Sequence, residues 1–390
     1  MPKFNVHAIR SKIPALDKSI YMNTAGTGPL PVSVVTDLTN MYKDIFENGP
    51  DNPIVKDAAI QEFEKTRQLS ASLLGVDSDE IALFRAISEG ISTVAYGIEW
   101  NPGDEVIISN EEHPTGIIVW LNLAKRKGIK IKKLPISSNK AKLLDDLSNL
   151  FTDNTRLLAM SHVTTDTGTR LPVKEICALA HSRSVPVLLD GAQSVGQFPV
   201  DLREIDVDWY ACTGHKWLLG GWGTSIFYVN KYRSPKIEVS WSGSRAAEWD
   251  INTDNLVFPK SARKFEFGGR ALPLYNGMRA GIEFVQDIGI ENIEIQSRIL
   301  SDKLMSALSE IKGTTLLSPE HRSFSTGIVT FSVEGLSGKE LSAQMFDRWR
   351  ILGRPTLDQM GMRVCCAFFN TDQEIDIVID AVNAIANESR

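Results

Sequence analysis

The sequence predicts an α/β fold, in which a large, doubly wound, mostly parallel sheet of seven strands is followed by a smaller α/β domain. Apolar, β-branched runs alternate with helix-like stretches from about residue 55 to residue 230. One run, residues 187–189, is continuously apolar, as a central parallel strand should be, and ends in a charge at Asp190. The alternation then gives way to an irregular segment, residues 236–275, which is rich in Trp, Ser, Gly and Arg.

Strand and helix candidates alternate through the first part of the chain. The apolar positions Ile60, Phe63, Leu69, Leu73 and Leu74 broadly follow helical spacing, which predicts a helix over residues 60–74. The other helix candidates are residues 89–97, 115–126 and 173–181, and the strand candidates are residues 81–84, 105–109, 129–134, 156–161, 185–190, 209–213 and 224–229.

A second α/β pattern follows the irregular segment. A long helical pattern covers residues 274–311 and breaks near Gly289. It is followed by a strand (328–333), a helix (339–349), a second strand (363–368) and a last helix (374–386). We therefore expect a large domain at residues 21–260 and a small domain built from residues 1–20 and 261–390.

The composition is that of a folded protein, and it excludes several classes of function. The chain has 390 residues, which suggests two domains, and 43% of them are hydrophobic. Lys and Arg number 42 and Asp and Glu 48, so the net charge of −6 disfavours nucleic acid or an anionic membrane as the partner. A basic cluster at residues 125–133 fits a solvated face better than a binding surface.

Cysteine usage and hydropathy indicate a reducing, cytoplasmic environment. The four cysteines, Cys177, Cys212, Cys365 and Cys366, have neither zinc-site nor disulfide spacing, so no metal is expected. The first residues lack the apolar core of a signal peptide. No run reaches the roughly 18 apolar residues that a membrane span needs.

Asp190 ends a buried strand, where an open α/β sheet presents its ligand crevice. A carboxylate there can bind a cationic ring nitrogen and raise the pKa of that nitrogen, because an opposite charge favours the charged form. The sequence leaves open the alternative that Asp190 only caps the turn that begins at Gly191.

Lys216 follows another strand candidate and is covered by three apolar residues, so we expect its pKa to be depressed. Such a lysine suits a Schiff-base nucleophile, whereas an isolated lysine would more simply lie at the surface. The preceding residues, Thr213-Gly-His215, offer a hydroxyl, a flexible backbone and a ring N–H, which together suit a phosphate.

The segment Val187-Leu-Leu-Asp-Gly-Ala-Gln-Ser-Val-Gly followed by Thr213-Gly-His-Lys resembles the class V aminotransferase group of fold-type I pyridoxal phosphate enzymes. That group includes cysteine desulfurases, cysteine/cystine C–S lyases and isopenicillin N epimerase-like proteins. The resemblance runs from Tyr21-Met-Asn-Thr-Ala-Gly through Glu112-His-Pro and Ser161-His-Val to Arg363. It implies that pyridoxal phosphate is the cofactor.

The resemblance also implies roles for the residues around the cofactor ring. Lys216 would form the Schiff base and later move the Cα proton, and Asp190 would pair with the pyridinium nitrogen. Gln193 would reach the phenolic oxygen, and His113 would stack on the ring, although His113 alone could equally be a core histidine. Thr213 and His215 would hold the phosphate, and Thr165 lies with Asp166 where relatives often place an asparagine near the ring.

Ile87 and Ser88 fall where the family has a Thr-Thr pair at a helix N-terminus, which is a natural phosphate site. Ser88 keeps a hydroxyl there, and Ile87 offers only its backbone N–H. The simpler alternative for Ser88 is a helix N-cap with Ile91 at the third helical position.

A further phosphate contact is implied across a homodimer interface. The segment Phe265-Glu-Phe-Gly-Gly-Arg aligns with a loop that relatives donate to the phosphate of the neighbouring subunit. Gly269 replaces the threonine of that loop, and Arg270 could supply a compensating charge. A glycine turn followed by a surface arginine is the equally weighted alternative.

The substrate is expected to be a small amino acid held by its carboxylate. Arg363 matches the family arginine that grips this group, since a guanidinium binds a carboxylate through two parallel hydrogen bonds. Arg354 resembles a second carboxylate arginine of the C–S lyases, with a surface salt bridge as its alternative. Ala25, in the entry motif, is expected to border the substrate.

The residues narrow the choice among the reactions of the family. Desulfurases need a nucleophilic cysteine on a mobile loop before the carboxylate arginine, yet no cysteine lies between Gly353 and Arg363. Cys365 and Cys366 follow that arginine in an apolar strand and are predicted to pack in the core. We therefore expect β-elimination from an amino acid such as cysteine or cystine, through a Schiff base and a Cα carbanion.

Other functions stay open at this point. Transamination, epimerisation and desulfuration share the carbanion. A nicotinamide oxidoreductase is disfavoured because the Gly-x-Gly-x-x-Gly fingerprint is missing, and a serine hydrolase because Ser194 is one residue out of step with Gly-x-Ser-x-Gly. A non-catalytic binding module of this fold would be expected to lack Lys216 or Asp190, and both are present.

Overall fold

The computed structural model describes residues 4–232 and 237–389. In chain order the strands are β1 (Ile20–Tyr21), β2 (Ile81–Phe84), β3 (Glu105–Ser109), β4 (Lys130–Leu134), β5 (Thr155–Ser161), β6 (Val187–Asp190), β7 (Trp209–Thr213), β8 (Ser225–Val229), β9 (Glu248–Asp250), β10 (Asn255–Val257), β11 (Thr314–Leu316), β12 (Ile328–Val333), β13 (Ile351–Leu352), β14 (Arg354–Pro355) and β15 (Met362–Cys365).

The helices are α1 (Val6–Arg10), α2 (Val32–Asn48), α3 (Pro53–Leu74), α4 (Ile87–Gly97), α5 (Thr115–Lys127), α6 (Lys140–Leu150), α7 (Val173–Ser182), α8 (Leu202–Ile205), α9 (Leu272–Ile288), α10 (Ile290–Glu310), α11 (Gly338–Trp349) and α12 (Asp372–Glu388). Among the described residues, no helix combines the length and the apolar character needed to cross a membrane.

Seven strands form the large sheet in the order β2-β8-β7-β6-β5-β3-β4, which confirms the predicted fold class. β8 runs antiparallel to its two neighbours, and the other pairs are parallel. As a result, β2, β3, β5, β6 and β7 all end at the same edge of the sheet. This edge is where an open α/β sheet binds its ligand.

Alternate side chains of the central strands face two apolar layers. In β6, Val187 and Leu189 face one layer, whereas Leu188 faces the other. Helices α3, α6 and α7 cover the first layer, and α4 and α5 cover the second. This burial on both faces explains why the strands are continuously apolar instead of alternating.

A second sheet of four antiparallel strands, in the order β11-β12-β15-β14, lies in the C-terminal part. Phe331 of β12 and Val364 of β15 pack with apolar residues of α10, α11 and α12. The short strand β1 pairs with β13, so the N-terminal segment joins this part of the molecule. The division into residues 21–260 and residues 1–20 with 261–390 stays a prediction, and residues 1–3, 233–236 and 390 of it lie outside the described chain.

The seven predicted strands of the large sheet all lie within two residues of their expected bounds. The helix expected at residues 60–74 begins earlier, at Pro53, because the Asn52 side chain accepts a hydrogen bond from the Ile54 N–H and caps it. The irregular segment contains the hairpin β9–β10, which the sequence did not predict. All six hairpin residues are exposed, so they carry no hydrophobic alternation.

A buried ion pair ties α3 to the large sheet and to the segment that carries Gly269. The Arg67 side chain is fully buried and donates two hydrogen bonds to Glu266 at 2.5 and 3.0 Å and one to the Ile81 carbonyl at 2.7 Å. Glu266 also accepts a hydrogen bond from the Leu83 N–H at 2.6 Å. The Glu266 carboxylate therefore connects α3 and the edge strand β2 with the segment that carries Gly269.

We expect Glu266→Ala to lower the free energy of unfolding by about 3 to 5 kcal/mol, because Arg67 would keep a buried charge without its main partner. The control is Glu64→Ala, which removes a partly exposed carboxylate from the same arginine and should cost less than about 1 kcal/mol. Urea unfolding of both variants measures the difference. Equal losses would contradict the central role of the Glu266 pair.

Candidate active site

A cavity of about 370 Å³ opens where β2, β3, β5, β6 and β7 end. Its lining brings together twelve of the residues that the sequence predicted for the site, from segments that are far apart in the chain. They are Ala25, Ile87, Ser88, His113, Thr165, Asp190, Gln193, Thr213, His215, Lys216, Arg354 and Arg363. Two predicted residues, Gly269 and Arg270, are not part of the lining.

Asp190 ends β6 at the floor of the cavity and is only 8% exposed. Its Oδ1 accepts a hydrogen bond from the Ala192 N–H at 2.8 Å, so it does cap the following turn. Burial raises the pKa of this carboxyl group, and the nearby Lys216 opposes the rise. A buried carboxylate with so few partners favours a cationic group beside it.

Lys216 lies in the tight turn after β7 and points to the cavity. Burial lowers the pKa of its ammonium group to about 8, and Asp190 opposes part of that decrease. The N-terminal segment approaches this turn closely, since a Cβ on Gly28 would overlap the Lys216 backbone carbonyl. The amine is thus far easier to deprotonate than that of an ordinary lysine.

His113 lines the cavity and is not a core histidine. Its Nδ1 accepts a hydrogen bond from the Thr115 N–H at 3.2 Å, which places the ring proton on Nε2. Burial and the positive charge of Lys216 lower the pKa of the imidazole to about 4. The ring is therefore neutral at neutral pH, and a neutral ring can stack on an aromatic cofactor.

Gln193 follows the β6 turn, and its amide is fixed from two sides. Nε2 donates to the Ala25 carbonyl at 2.9 Å, and Oε1 accepts from the Trp217 indole N–H at 2.9 Å. Ala25 also borders the cavity, as expected. The side chain is held by these bonds next to the cavity.

Two elements offer donors to an anion at one end of the cavity. Thr213 Oγ1 and His215 Nδ1 are 2.6 Å apart, and burial lowers the pKa of His215 to about 4. On the other side α4 begins at Ile87 with Ala86 as its N-cap, so the proposed N-cap role of Ser88 is wrong. Ile87 and Ser88 instead occupy the first helical turn, whose N–H groups face the anion position.

Arg363 lies on β15 and is fully buried. Its guanidinium donates to the Thr165 carbonyl at 2.7 Å and to Asn23 Oδ1 at 3.3 Å, and its Nε has no hydrogen-bond partner among the described residues. Burial lowers its pKa to about 10. The group keeps its charge at neutral pH, and Arg363 is one of the residues that line the cavity.

Arg354 comes from the same sheet and reaches the cavity beside Arg363. One of its terminal nitrogens donates to Asp166 Oδ1 at 2.9 Å, while Asp166 Oδ2 accepts from the Leu357 N–H at 2.8 Å. The Arg354 Nε is buried and has no partner in the described chain. Both the salt bridge and the carboxylate role that the sequence suggested are therefore compatible with its position.

Gly269 and Arg270 lie apart from the cavity of their own chain. Gly269 is exposed, and a Cβ built on it would meet no atom within 4 Å. The Arg270 side chain is nearly buried and lies 3.9 Å from Glu89. Arg270 therefore faces its own α4, so the alternative of a surface arginine is wrong.

Sequence analysis assigned no role to Arg85, and it left open whether Trp222 lines the pocket or only flanks it. Arg85 and Trp222 line the cavity, and Trp222 is 70% exposed. Arg85 comes shortly before Ile87 and Ser88 in the chain, and Trp222 follows Lys216 in a glycine-rich turn. Closeness in the chain to predicted site residues was therefore the one available signal. Glu112 was noted only as part of the Glu-His-Pro motif, and its burial at 4% exposure came from the fold alone.

These residues fit pyridoxal phosphate. A buried carboxylate suits its ring nitrogen, a lysine of lowered pKa suits its aldehyde, and a helix N-terminus with two hydroxyl-bearing turns suits its phosphate. Two arginines that line the cavity, Arg354 and Arg363, suit the carboxylate of an amino acid.

Known proteins share both the sequence pattern and the fold. The cysteine desulfurase of Escherichia coli O8 is 27% identical, with 98% of each chain aligned. A "probable cysteine desulfurase" of Methanothermobacter thermautotrophicus is 26% identical, with 97% of each chain aligned.

Solved structures superpose over almost the entire chain. A mutant of C-DES with glycine covalently linked to its PLP cofactor has a TM-score of 0.89 at 28% identity, covering 96% of this chain and 98% of that one. The complex of the cystine C–S lyase C-DES with its product cysteine persulfide also has a TM-score of 0.89 and 28% identity, covering 95% and 99%.

The family model for class V aminotransferases matches residues 20–354, which is most of the sequence. The match includes β6 and β7 with Asp190, Gln193 and Lys216, and it ends at Arg354. This chain therefore belongs to the class V aminotransferase family.

Proposed function

We propose that this protein is a pyridoxal phosphate-dependent lyase that breaks the Cβ–S bond of cysteine or cystine and yields pyruvate and ammonia. The observation that carries the proposal is the content of one cavity. It joins a buried aspartate, a lysine of lowered pKa and two arginines, but no cysteine among its described lining residues. The cofactor supplies the electron-withdrawing ring that stabilises negative charge at Cα.

The fate of sulfur separates elimination from the runner-up, desulfuration. Relatives named as cysteine desulfurases support the runner-up. In this chain, however, all four cysteines are buried, and burial raises the pKa of Cys365. The Cys365 Sγ accepts a hydrogen bond from the Ala25 N–H at 3.3 Å, behind the cavity wall. No thiolate is poised to take up sulfur, so sulfur leaves with the product.

The residues of the chain divide the remaining work. Arg363 and Arg354, which both line the cavity, bind the α-carboxylate and so orient the Cα–H bond. Lys216 in its neutral form accepts the Cα proton. The electron pair of that bond forms a Cα–Cβ double bond as the Cβ–S bond breaks, and sulfur departs with the bonding pair, as hydrosulfide from cysteine or as cysteine persulfide from cystine. Water then hydrolyses the remaining three-carbon enamine to pyruvate and ammonia. Asp190 keeps the ring nitrogen protonated throughout.

We also propose that the chain works as a homodimer in which Gly269 approaches the phosphate of the partner subunit. Gly269 is exposed and lies outside its own cavity, and open space surrounds its Cα. Apolar side chains that a monomer would leave in water support an interface, namely Ile118 and Leu121 on α5 and Trp222 at the cavity rim.

Incubation of the holoenzyme with cystine should release pyruvate, because the lysine and the arginines can hold and deprotonate it. Intact-mass spectrometry should show no sulfur atom added to the protein. Cys365→Ala should release pyruvate at the rate of the wild type, and Lys216→Ala should release none. A persulfide on the protein, or dependence on Cys365, would favour desulfuration. An oxo-acid that keeps its sulfur would indicate transamination, and racemised substrate would indicate epimerisation.

The rate at which the apoprotein captures pyridoxal phosphate should rise with pH around a midpoint of about 8 and level off at higher pH, because only the neutral Lys216 amine reacts. At pH 7 about one tenth of such an amine is neutral, against about one in three thousand for an ordinary lysine. Stopped-flow absorbance measures the profile. Asp190→Asn should move the midpoint to lower pH, since Asp190 stabilises the ammonium form. A wild-type midpoint near 10 would contradict the lowered pKa.

Two inactive variants should complement each other if Gly269 acts across the dimer. Lys216→Ala removes the reactive amine, and Gly269→Glu would place a carboxylate against the phosphate. After subunit exchange, a mixed dimer has one site with both wild-type residues only when Gly269 serves the partner. Activity in the mixture supports that arrangement, and its absence in mixed dimers of confirmed composition would place Gly269 at its own site. Sedimentation should give twice the 43.2 kDa of one chain.

A further inference from the structure

Glu112 is a buried carboxylate that the proposed reaction does not use. It lies in the loop between β3 and α5, directly before His113, and is 4% exposed. Its Oε1 accepts hydrogen bonds from Ser109 Oγ at 2.5 Å and from the Ser161 N–H at 2.9 Å. Its Oε2 accepts one from Ser161 Oγ at 2.6 Å. The carboxylate therefore has three donors from two strands.

Burying the carboxylate of Glu112 costs free energy, because the side chains around it are largely apolar. Ile91 of α4, Trp120 of α5 and Leu188 of β6 enclose it, with a gap of about 10 Å³ toward Asp190. Burial raises the pKa of Glu112 to about 7, the serine hydrogen bonds oppose the rise, and the charge of Asp190 adds to it. A carboxylate in such a position needs a compensating role, because an apolar side chain would cost less.

The position of the three donors indicates that role. Ser109 is the last residue of β3, and Ser161 is the last residue of β5. The ladder between these neighbouring strands runs from Glu105–Thr155 to Ile107–Leu158 and does not reach either serine. Glu112 thus joins the two strand ends beyond the last ladder pair, at the edge where the cavity opens.

His113 takes its position from this connection. Its backbone directly follows Glu112, and its ring is held on the other side by the Thr115 N–H at 3.2 Å. On the basis of the proposed function, we propose that Glu112 is a positioning residue. It ties the ends of β3 and β5 together and thereby holds His113 against the cofactor ring. It touches neither substrate nor cofactor in this role.

The test compares Glu112→Ala with Glu112→Gln. The alanine variant removes all three hydrogen bonds, and we expect kcat to fall roughly 10- to 100-fold because a small displacement of a positioned group is costly. The visible circular dichroism of the bound cofactor should weaken, since it reports the ring environment. Glutamine should recover most of both signals, because its carbonyl can accept from the Ser161 N–H and serine hydroxyls can reverse their direction.

Glu105→Ala is the matched control at the opposite end of β3. Glu105 is also buried, and it accepts hydrogen bonds from the Thr152 hydroxyl at 2.5 Å and from Lys132 at 2.8 Å. This variant should lose stability but keep the cofactor dichroism of the wild type. Equal loss of dichroism in Glu105→Ala and Glu112→Ala would overturn the proposal, because strand damage alone would then explain the effect.

Two measurements keep the test decisive. If Glu112→Ala does not fold, Ser109→Ala removes the β3 connection, together with the hydrogen bond that the Ser109 hydroxyl accepts from the Glu111 N–H at 3.2 Å, and should weaken kcat and dichroism in the same direction. Wild-type values in Ser109→Ala would overturn the proposal. In the apoprotein, diethyl pyrocarbonate should modify His113 faster in the Glu112 or Ser109 alanine variant than in the wild type, as mapped by mass spectrometry. An unchanged rate of His113 modification would also overturn the proposed role of Glu112, whether or not the protein binds pyridoxal phosphate.

Discussion

The burial of Lys216 and Asp190 at one edge of the large sheet is the constraint on which the rest of the site depends. Water would stabilise both charges, and its exclusion lowers the pKa of the lysine while raising that of the aspartate. The charge of each group partly reverses the pKa shift of the other, so neither group would be stable in its charged form without its neighbour. Pyridoxal phosphate suits both groups, because its cationic ring nitrogen can pair with Asp190 and its aldehyde can react with the neutral amine of Lys216. The fold supplies the dry position because five strands end there and helices cover both faces.

The same exclusion of water acts on the histidines. The pKa of His113 and that of His215 fall to about 4, which leaves both rings neutral near pH 7. A neutral His113 can lie on an aromatic face, and a neutral His215 with its Nδ1 at Thr213 can donate from Nε2 to a phosphate. The positive charge needed for anions comes from Arg354 and Arg363, which both line the cavity.

The sequence was sufficient for the parts of the molecule that follow from periodicity and from family motifs. Six of the seven strands have a clear apolar pattern, whereas three of the five residues of β4 are lysines. The residues of short motifs around Asp190, Lys216 and Arg363 do meet in one cavity. The sequence was insufficient where the residue that determines a side chain's position comes from another part of the chain. Nothing in the neighbourhood of Arg270 indicated that it faces Glu89, and the three hydrogen bonds of Glu112 depend on strand ends that adjoin only after folding. The hairpin β9–β10 was missed because all its residues are exposed.

The site also joins two sheets that have different tasks. Lys216 and Asp190 belong to the parallel sheet, whereas Arg354 and Arg363 belong to the antiparallel sheet of the C-terminal part. The arginines are connected to the loop after β5, through Thr165 for one and Asp166 for the other. In the proposed function, hydrogen bonds between the sheets therefore set the position of the substrate carboxylate relative to the reactive amine. Substitutions in that loop would change substrate orientation while leaving the lysine and its aspartate in place, so binding and proton transfer can vary separately within one fold.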